Sequence, residues 1–399
     1  MDEEKFIGFV LEHEDDDPGR LLLSASRWSG IDVRRAARII EARRRIRVKV
    51  PSWYAHPGLD YPFPLALEQC SSEATALYKQ AFVPDGGRIA DLTGGLGVDC
   101  WFMSRRSSGA VYFERNEELC SAAAHNFAIL GNGAPCRIEV RQGDGPELLR
   151  QSGDRFDLIY LDPARRGGGG RRLYDIAGCE PNLLEIKDLL LSRSGRVLAK
   201  VSPMADISRT LEQIPETAEL HVVAAEGEVK ELLLLLTPDS PEREPLIVAA
   251  DGPYRFAFTP GEERDAAVRY AGSPGKFLFQ PSRALLKAGA FRLLSERTGL
   301  AKLAPSTHLY TSDGPCDTFP GKCFTVEDII PWSGSTAREL KGRFDRIEMT
   351  ALNFPMTTEA LRSRIGILDG GPYHLFATTM NERNKIIIIC KPCAKTTTK

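Results

Sequence analysis

The stretch Ile89-Ala-Asp-Leu-Thr-Gly-Gly-Leu-Gly-Val-Asp99 constrains the fold of this chain more tightly than any other. An apolar pair leads into Asp91 and then into a turn carrying Gly94, Gly95 and Gly97. After Asp99 the run Cys100-Trp-Phe-Met103 is apolar enough for a buried helix. A strand ending in a carboxylate, then a glycine turn and a helix start, is how doubly wound α/β sheets build a nucleotide site. Glycine tolerates positive φ and lets a ligand approach the backbone. The N–H groups at a helix start then face that ligand.

A chain of 399 residues has room for two or three domains. Its formal net charge of −2 excludes an overall basic coat for nucleic acid, though not a local patch. No apolar run approaches the ~20 residues of a membrane helix, and the acidic start lacks the pattern of a signal peptide. The nine cysteines are odd in number and scattered, so they are read as reduced thiols of a cytoplasmic protein.

The first 85 residues read as helical. An acidic run, Glu12 to Asp17, precedes a segment from Leu21 to about Val50 with apolar residues at helical spacing. Arg34, Arg35, Arg38, Arg43, Arg44, Arg45, Arg47 and Lys49 make that segment the most basic in the chain. It is either a solvated helix face or an RNA-facing patch. Pro51 to Pro64 reads as a loop. Leu65 to Phe82 reads as one helix, with Ser72, Thr75 and Lys79 on it.

From Gly87 short apolar strands alternate with helical patterns, which predicts βα units and a parallel sheet. Seven strands are expected, over Arg88–Leu92, Ala110–Glu114, Ile138–Gln142, Leu158–Asp162, Arg196–Val201, Leu220–Ala225 and Lys230–Thr237. Only Glu226-Gly-Glu-Val229 separates the last two, too little for a crossover helix, so they should pair antiparallel. A mostly parallel sheet closed by such a pair is the Rossmann-like architecture of class I methyltransferases. Pro238 to Pro245 then marks a domain boundary. Residues 246–275 read as irregular strands or turns, and Ser282–Thr298 as a helix. The last hundred residues look α+β, with strands at Lys322–Val326, Arg343–Thr350, Tyr373–Thr379 and Lys385–Cys390, and a threonine-capped helix at Thr358–Ile365.

Two constellations carry chemistry. In the first, Asp91, Thr93, the three glycines and Asp99 are followed by Glu114 and Asp144 at the ends of the next two strands. Glu114 is placed to accept the ribose hydroxyls of an adenosine, and Asp144 to reach its amino group. A dinucleotide brings a pyrophosphate, which acidic residues beside the turn would repel. S-adenosylmethionine brings a sulfonium and an ammonium, which Asp91 and Asp99 suit, while the turn's N–H groups take its carboxylate. The helix before the turn is expected to close over the donor's amino-acid end, with Ser72 or Thr75 as hydrogen-bonding groups.

The second constellation is Leu158-Ile-Tyr-Leu-Asp-Pro-Ala-Arg-Arg166, at the end of the fourth strand. Methyl transfer to nitrogen is an in-line displacement, so the protein mainly aligns the reactants. Asp162 and the Pro163 carbonyl are placed to bond the nucleophile's N–H groups. Enzymes that methylate amino groups usually show Asp-Pro-Pro and an aromatic here; this chain has Ala164 and Arg165. Arg165 and Arg166 open a basic, glycine-rich loop through Arg171 and Arg172, suited to phosphates. Lys200, in Lys200-Val-Ser-Pro203, either lines the acceptor pocket or packs. Cys390-Lys-Pro-Cys393 has zinc-like spacing but lacks a matching pair, and the six histidines are dispersed, so no metal is expected. No cysteine stands beside Asp162 as methylation of a pyrimidine carbon would need.

These segments, together with Cys179-Glu-Pro181, Leu285-Leu-Lys-Ala-Gly-Ala-Phe291, His308-Leu-Tyr-Thr-Ser-Asp313, Asn353-Phe-Pro355 and Asp369-Gly-Gly371, resemble bacterial class I methyltransferases with a C-terminal THUMP-like domain. The resemblance covers nearly the whole chain. It implies an N-terminal helical region (1–85), a methyltransferase domain using S-adenosylmethionine (86–240), a linker (241–276), a ferredoxin-like module (277–322) and a THUMP-like domain (323–397). THUMP domains of related enzymes bind RNA, usually tRNA, so the resemblance implies an RNA substrate, methylated at a base nitrogen. A methyltransferase for a protein or small molecule, and a non-catalytic RNA-binding protein that keeps the fold, are the alternatives.

Overall fold

The computed structural model describes residues 2–131, 137–165, 176–239, 242–380 and 383–393. The chain forms two compact units, Met1–Leu220 with Lys230–Arg243, and His221–Val229 with Glu244–Lys399.

The first unit begins with helices. Helix Val33–Lys49 is capped by Asp32, whose side chain accepts the Arg35 N–H. It buries Ala36, Ile39, Ile40 and Ile46, the first three against Phe6, Phe9 and Leu21 of the preceding helices. Six basic side chains of this helix are engaged by the protein itself. Arg43 is buried on Glu14 at 3.1 Å, and Arg44 donates to the carbonyls of Glu14 and Asp16. Arg35 meets Glu3, Arg38 meets Asp60, Arg45 meets Glu41 and Glu68, and Lys49 holds the carbonyls of Leu67 and Glu68. Glu14 of the acidic run thus neutralises one arginine of this helix, and Glu3, Glu41, Asp60 and Glu68 neutralise others. The Leu21–Val50 segment holds the end of helix Pro18–Leu23 and a second helix, not one. The expected Pro51–Pro64 loop contains a short helix, Pro51–Tyr54. The expected Leu65–Phe82 helix is also two, Pro64–Gln69 and Glu73–Gln80, because Cys70 turns extended and Ser72 starts a new N-cap.

The sheet that carries the site contains β1 (Arg88–Asp91), β2 (Gly109–Glu114), β3 (Ile138–Gln142), β4 (Leu158–Leu161), β5 (Val197–Val201), β6 (Thr217–Ala225) and β7 (Glu228–Leu236). Their order is β3-β2-β1-β4-β5-β7-β6, and the sheet continues beyond β6 through Leu246–Asp251 and Tyr254–Phe258, so it has nine strands rather than the expected seven. β1 lies parallel between β2 and β4, and β5 runs parallel to β4. β7 is antiparallel to β5, with Val197 opposite Leu236. The seven expected strands are all present, with bounds shifted by a few residues. The connection between β6 and β7 shrinks to Glu226-Gly227, both at positive φ, as a two-residue hairpin turn of a right-twisted ladder requires. Leu158–Leu161 and Leu232–Leu236 are buried throughout, as expected of strands covered on both faces. β1 and β4 end side by side at the sheet's switch point, the place where such sheets bind ligands.

The second unit opens with a regular hairpin, β8 (Leu246–Asp251) and β9 (Tyr254–Phe258). Helix Pro260–Asp265 follows, closed by a Thr259–Glu262 capping box. The expectation of irregular strands or turns over 246–275 left out the regular pairing and the helix: the apolar run Leu246–Ala250 is the buried side of the hairpin. A mixed sheet follows, with β10 (Phe277–Pro281), β11 (Ala301–Ala304), β12 (Thr307–Ser312), β13 (Gly321–Pro331), β14 (Glu348–Leu352), β15 (His374–Met380) and β16 (Asn384–Pro392). Its order is β11-β12-β10-β13-β16-β15-β14. The long strand β13 pairs with β10 on one side and β16 on the other. Ile387 and Ile389 face a core with Leu361 and Ile365, and Ile388 faces a second with Leu278 and Phe376. That two-sided burial explains the run Ile386 to Ile389. The expected Ser282–Thr298 helix is interrupted at Gly289, which ends helix Arg283–Ala288 in a left-handed cap before helix Arg292–Thr298. Arg343 ends helix Thr336–Arg343 rather than starting a strand. No helix among the described residues is long and apolar enough to cross a membrane.

Candidate active site

The ends of β1, β2, β4 and β5 surround a cavity of about 760 Å³ within the first unit. The glycine turn forms its floor. A Cβ on Gly94 would lie 2.1 Å from the Tyr112 ring, and one on Gly97 would lie 2.7 Å from Phe127, with Gly97 at φ +85° besides. Only glycine lets the turn sit this close to β2 and the following helix. Two polar bonds fix it further: the Tyr112 hydroxyl donates to the Gly95 carbonyl at 2.6 Å, and the Gly95 N–H donates to Glu114 at 2.9 Å. The other oxygen of Glu114 takes the Asn116 N–H at 2.8 Å.

Asp91 is 1% exposed and accepts the Thr93 N–H at 3.0 Å. The Thr93 hydroxyl oxygen in turn accepts the Asp162 N–H at 2.6 Å, tying the glycine turn to the end of β4. Asp162 is ion-paired with Lys200 from β5. The proposed donor and acceptor residues are thus adjacent through two hydrogen bonds.

Behind the cavity lies a charge network that the sequence reading did not assemble. Lys79, fully buried, meets Asp99 at 3.1 Å and Glu231 of β7 at 2.8 Å, and donates to Ser71. Ser71 and the Tyr160 hydroxyl both donate to Asp99, each at 2.8 Å. A buried charge without its partner costs about 3–5 kcal/mol, so Lys79, Asp99 and Glu231 require one another. The sequence carried one signal for this: Glu231 stands directly against the apolar run Leu232–Leu236.

The electrostatics are uneven. Burial pushes Asp91 well above the usual carboxylate range; the Thr93 N–H opposes this, while Asp99, Asp162 and Glu114 push it further up. Burial also works against the ionised form of Asp99, but Lys79, Lys200 and the Ser71 and Tyr160 bonds outweigh it and hold Asp99 low. For Lys200, burial is overcome by Asp162, Glu231 and Asp99, so it remains an ammonium. Asp91 is the carboxylate left short of positive charge.

Asp91, Thr93, Gly94, Gly95, Gly97, Asp99, Glu114, Asp162, Pro163, Ala164 and Lys200 all line the cavity. Three of the expected binding residues stand apart. Ser72 is the N-cap of helix Glu73–Gln80, accepting the Thr75 N–H at 3.3 Å, and buried Thr75 donates back to the Ser72 carbonyl at 3.0 Å. The helix start uses both hydroxyls, and neighbouring Ser71 is the residue on the cavity wall. Asp144 caps helix Gly145–Ser152 and pairs with Arg115, while Gly145 and Pro146 line the cavity in its stead. Arg115 also bonds Glu180, in the strand pair that Cys179–Glu180 forms with Ala164–Arg165. The Arg165 side chain and residues 166–175, including Arg166, Arg171 and Arg172, lie outside the described residues. At the far end of the chain, Cys390 is buried in the sheet, and the Cys393 sulfur lies 2.7 Å from that of Cys323.

The site fits S-adenosylmethionine on its own chemistry, since a crowded carboxylate beside a glycine cradle selects a cationic ligand with a nucleoside part. Residues 277–320 match a ferredoxin-like domain family, and residues 321–392 match a THUMP domain-like family. A candidate methyltransferase from Porphyromonas gingivalis W83, solved as a crystal structure, is 37% identical over 98% of both chains, with a TM-score of 0.89. An uncharacterised S-adenosylmethionine-dependent methyltransferase of Mycobacterium tuberculosis H37Rv is 24% identical over 337 residues, 82% of this chain and 87% of that one. Ribosomal RNA small subunit methyltransferase J of Rhodopseudomonas palustris HaA2 is 26% identical over 146 residues, 32% of this chain and 66% of that one.

Proposed function

Because the chain belongs to a family of class I S-adenosylmethionine-dependent methyltransferases with ferredoxin-like and THUMP-like C-terminal parts, we propose that it methylates RNA, at a base nitrogen. The observation that carries this reading is the joined site: an acid-rich glycine cradle hydrogen-bonded, through Thr93, to the Asp162–Lys200 pair. The THUMP-like segment and the partial likeness to a ribosomal RNA methyltransferase support RNA as the substrate class, tRNA or rRNA. The division into regions 1–85, 86–240, 241–276, 277–322 and 323–397 belongs to the same proposal.

In this reading Asp91, Thr93, Gly94, Gly95, Gly97, Asp99 and Glu114 hold the donor, and Asp144 stands at the adenine end beside Gly145. When bound, S-adenosylmethionine supplies a methyl group already activated on a sulfonium. The chain contributes alignment and a place for the departing proton. Lys200 holds Asp162 Oδ2. Asp162 Oδ1 and the Pro163 carbonyl accept the N–H groups of the nucleophile, and the proton that nitrogen loses passes to Asp162. Ala164, Arg165, Arg166 and Lys200 form the substrate side.

Asp162→Ala should leave donor affinity by calorimetry within about two-fold, since one deletion removes a bond only to the acceptor, and abolish transfer. Loss of donor binding instead would mean that Asp162 holds the donor. The reading as a whole is tested by mass spectrometry of modified nucleosides in total RNA from a deletion strain and its parent. Identical profiles would reject an RNA substrate and favour the protein or small-molecule alternative.

A further inference from the structure

We infer that Phe63 is the face on which the acceptor ring stacks, so that the substrate presents an unpaired nucleobase to the cavity; the inference rests on the RNA reading above and sharpens it. Among the described residues, two aromatic side chains line the cavity, Phe63 and Tyr160. Tyr160 is 1% exposed and its hydroxyl is committed to Asp99. Phe63 is half-buried, and among the described residues no ring or cation contact involves it. A large apolar ring left on a cavity wall without a ring partner is a surface for a ligand rather than a packed core element.

The backbone around Phe63 is fixed before any ligand arrives. Pro62 and Pro64 flank it, and the residue before a proline is biased to extended backbone, which Phe63 adopts at φ −147°, ψ 153°. Arg38 donates to the Pro62 carbonyl at 3.1 Å on one side, and Lys49 donates to the Leu67 and Glu68 carbonyls at 2.9 and 2.7 Å on the other. A preset ring loses little entropy on binding. Cys70, directly after the helix, lines the same cavity as Asp162 and its partner Lys200, so this segment and the acceptor residues share one cavity wall.

An aromatic face is sequence-tolerant, because every base has a π face, and it requires the base to be single-stranded or flipped out of a helix. An aliphatic side chain has no π face to stack on it, whereas a lysine would meet it only through its ammonium. Phe63→Leu keeps an apolar side chain and removes the ring; Phe63→Trp keeps a ring. Full-length protein, radiolabelled S-adenosylmethionine and total RNA from a deletion strain provide the assay. Donor affinity should be unchanged in both variants. Phe63→Leu should lose between about 5- and 150-fold in kcat/KM for RNA, the range that loss of one base stack represents, and Phe63→Trp should retain transfer. A Phe63→Leu protein that methylates RNA as the wild type does would overturn the stacking role and leave the RNA reading standing. Weakened donor binding in Phe63→Leu would overturn it by assigning the ring to the donor. If the wild type transfers nothing to RNA, the RNA reading itself fails and the stacking role falls with it.

Discussion

Asp91 is held in a state that folding alone does not favour. Burial and three neighbouring carboxylates raise its pKa in the folded protein above its ordinary value. The folded state therefore binds that proton more readily than the unfolded chain does. Stability from this residue is present at low pH and lost as pH rises through the window above the ordinary carboxylate value. A cation beside Asp91 relieves the strain, so donor affinity should weaken as pH falls and Asp91 becomes protonated. Asp91→Asn keeps the oxygen that accepts the Thr93 N–H and removes the charge. Without donor, this variant should melt higher than the wild type at pH 7 by differential scanning fluorimetry. Calorimetry should show its affinity for S-adenosylmethionine reduced about ten-fold or more, as expected when a charge-assisted bond is lost. A variant that melts lower, or binds as well, would remove Asp91 from the donor site.

At the scale of elements, the N-terminal helices supply what the sheet lacks. Helix Glu73–Gln80 delivers Lys79 to Asp99 and Glu231, and the Pro64–Gln69 helix with its flanking residues carries Phe63 and Cys70 to the cavity wall. The break between these helices separates capping from binding: Ser72 starts a helix, Ser71 faces the site. Ser72→Ala should cost about 1 kcal/mol in chemical denaturation, the usual value for a lost N-cap, with donor affinity unchanged. A loss of donor affinity as large as that of Asp91→Asn would return Ser72 to the binding site. The arginines of helix Val33–Lys49 likewise serve the element that contains them, since Glu3, Glu14, Asp60 and Glu68 already neutralise Arg35, Arg43, Arg38 and Arg45.

At the scale of the molecule, a net charge of −2 means that RNA must be gripped by local basic groups rather than by a general field. Binding of deletion-strain RNA by the full chain should weaken linearly in log K against log salt, the slope reporting the number of phosphates neutralised, about 0.7–0.9 per contact. Arg44→Ala should leave that slope unchanged, because Arg44 is spent on the Glu14 and Asp16 carbonyls. A salt-independent interaction would reject phosphate contacts altogether. Strands β1 to β7, the hairpin between the last two, the glycine turn and the Asp162 strand end were all legible in the sequence. Each depends on local periodicity or on turn chemistry, which a short stretch of residues expresses by itself. Helix interruptions at Cys70 and Gly289 were not, since a brief break hardly disturbs an apolar period. Nor could spacing alone show that Lys79, Asp99 and Glu231 meet, that Arg43 faces Glu14, or that Phe63 stands on the cavity wall. Those pairs are 20 to 152 positions apart or belong to different elements. Only packing of the folded chain brings them within reach, and burial then gives their charges the strength to shape the site.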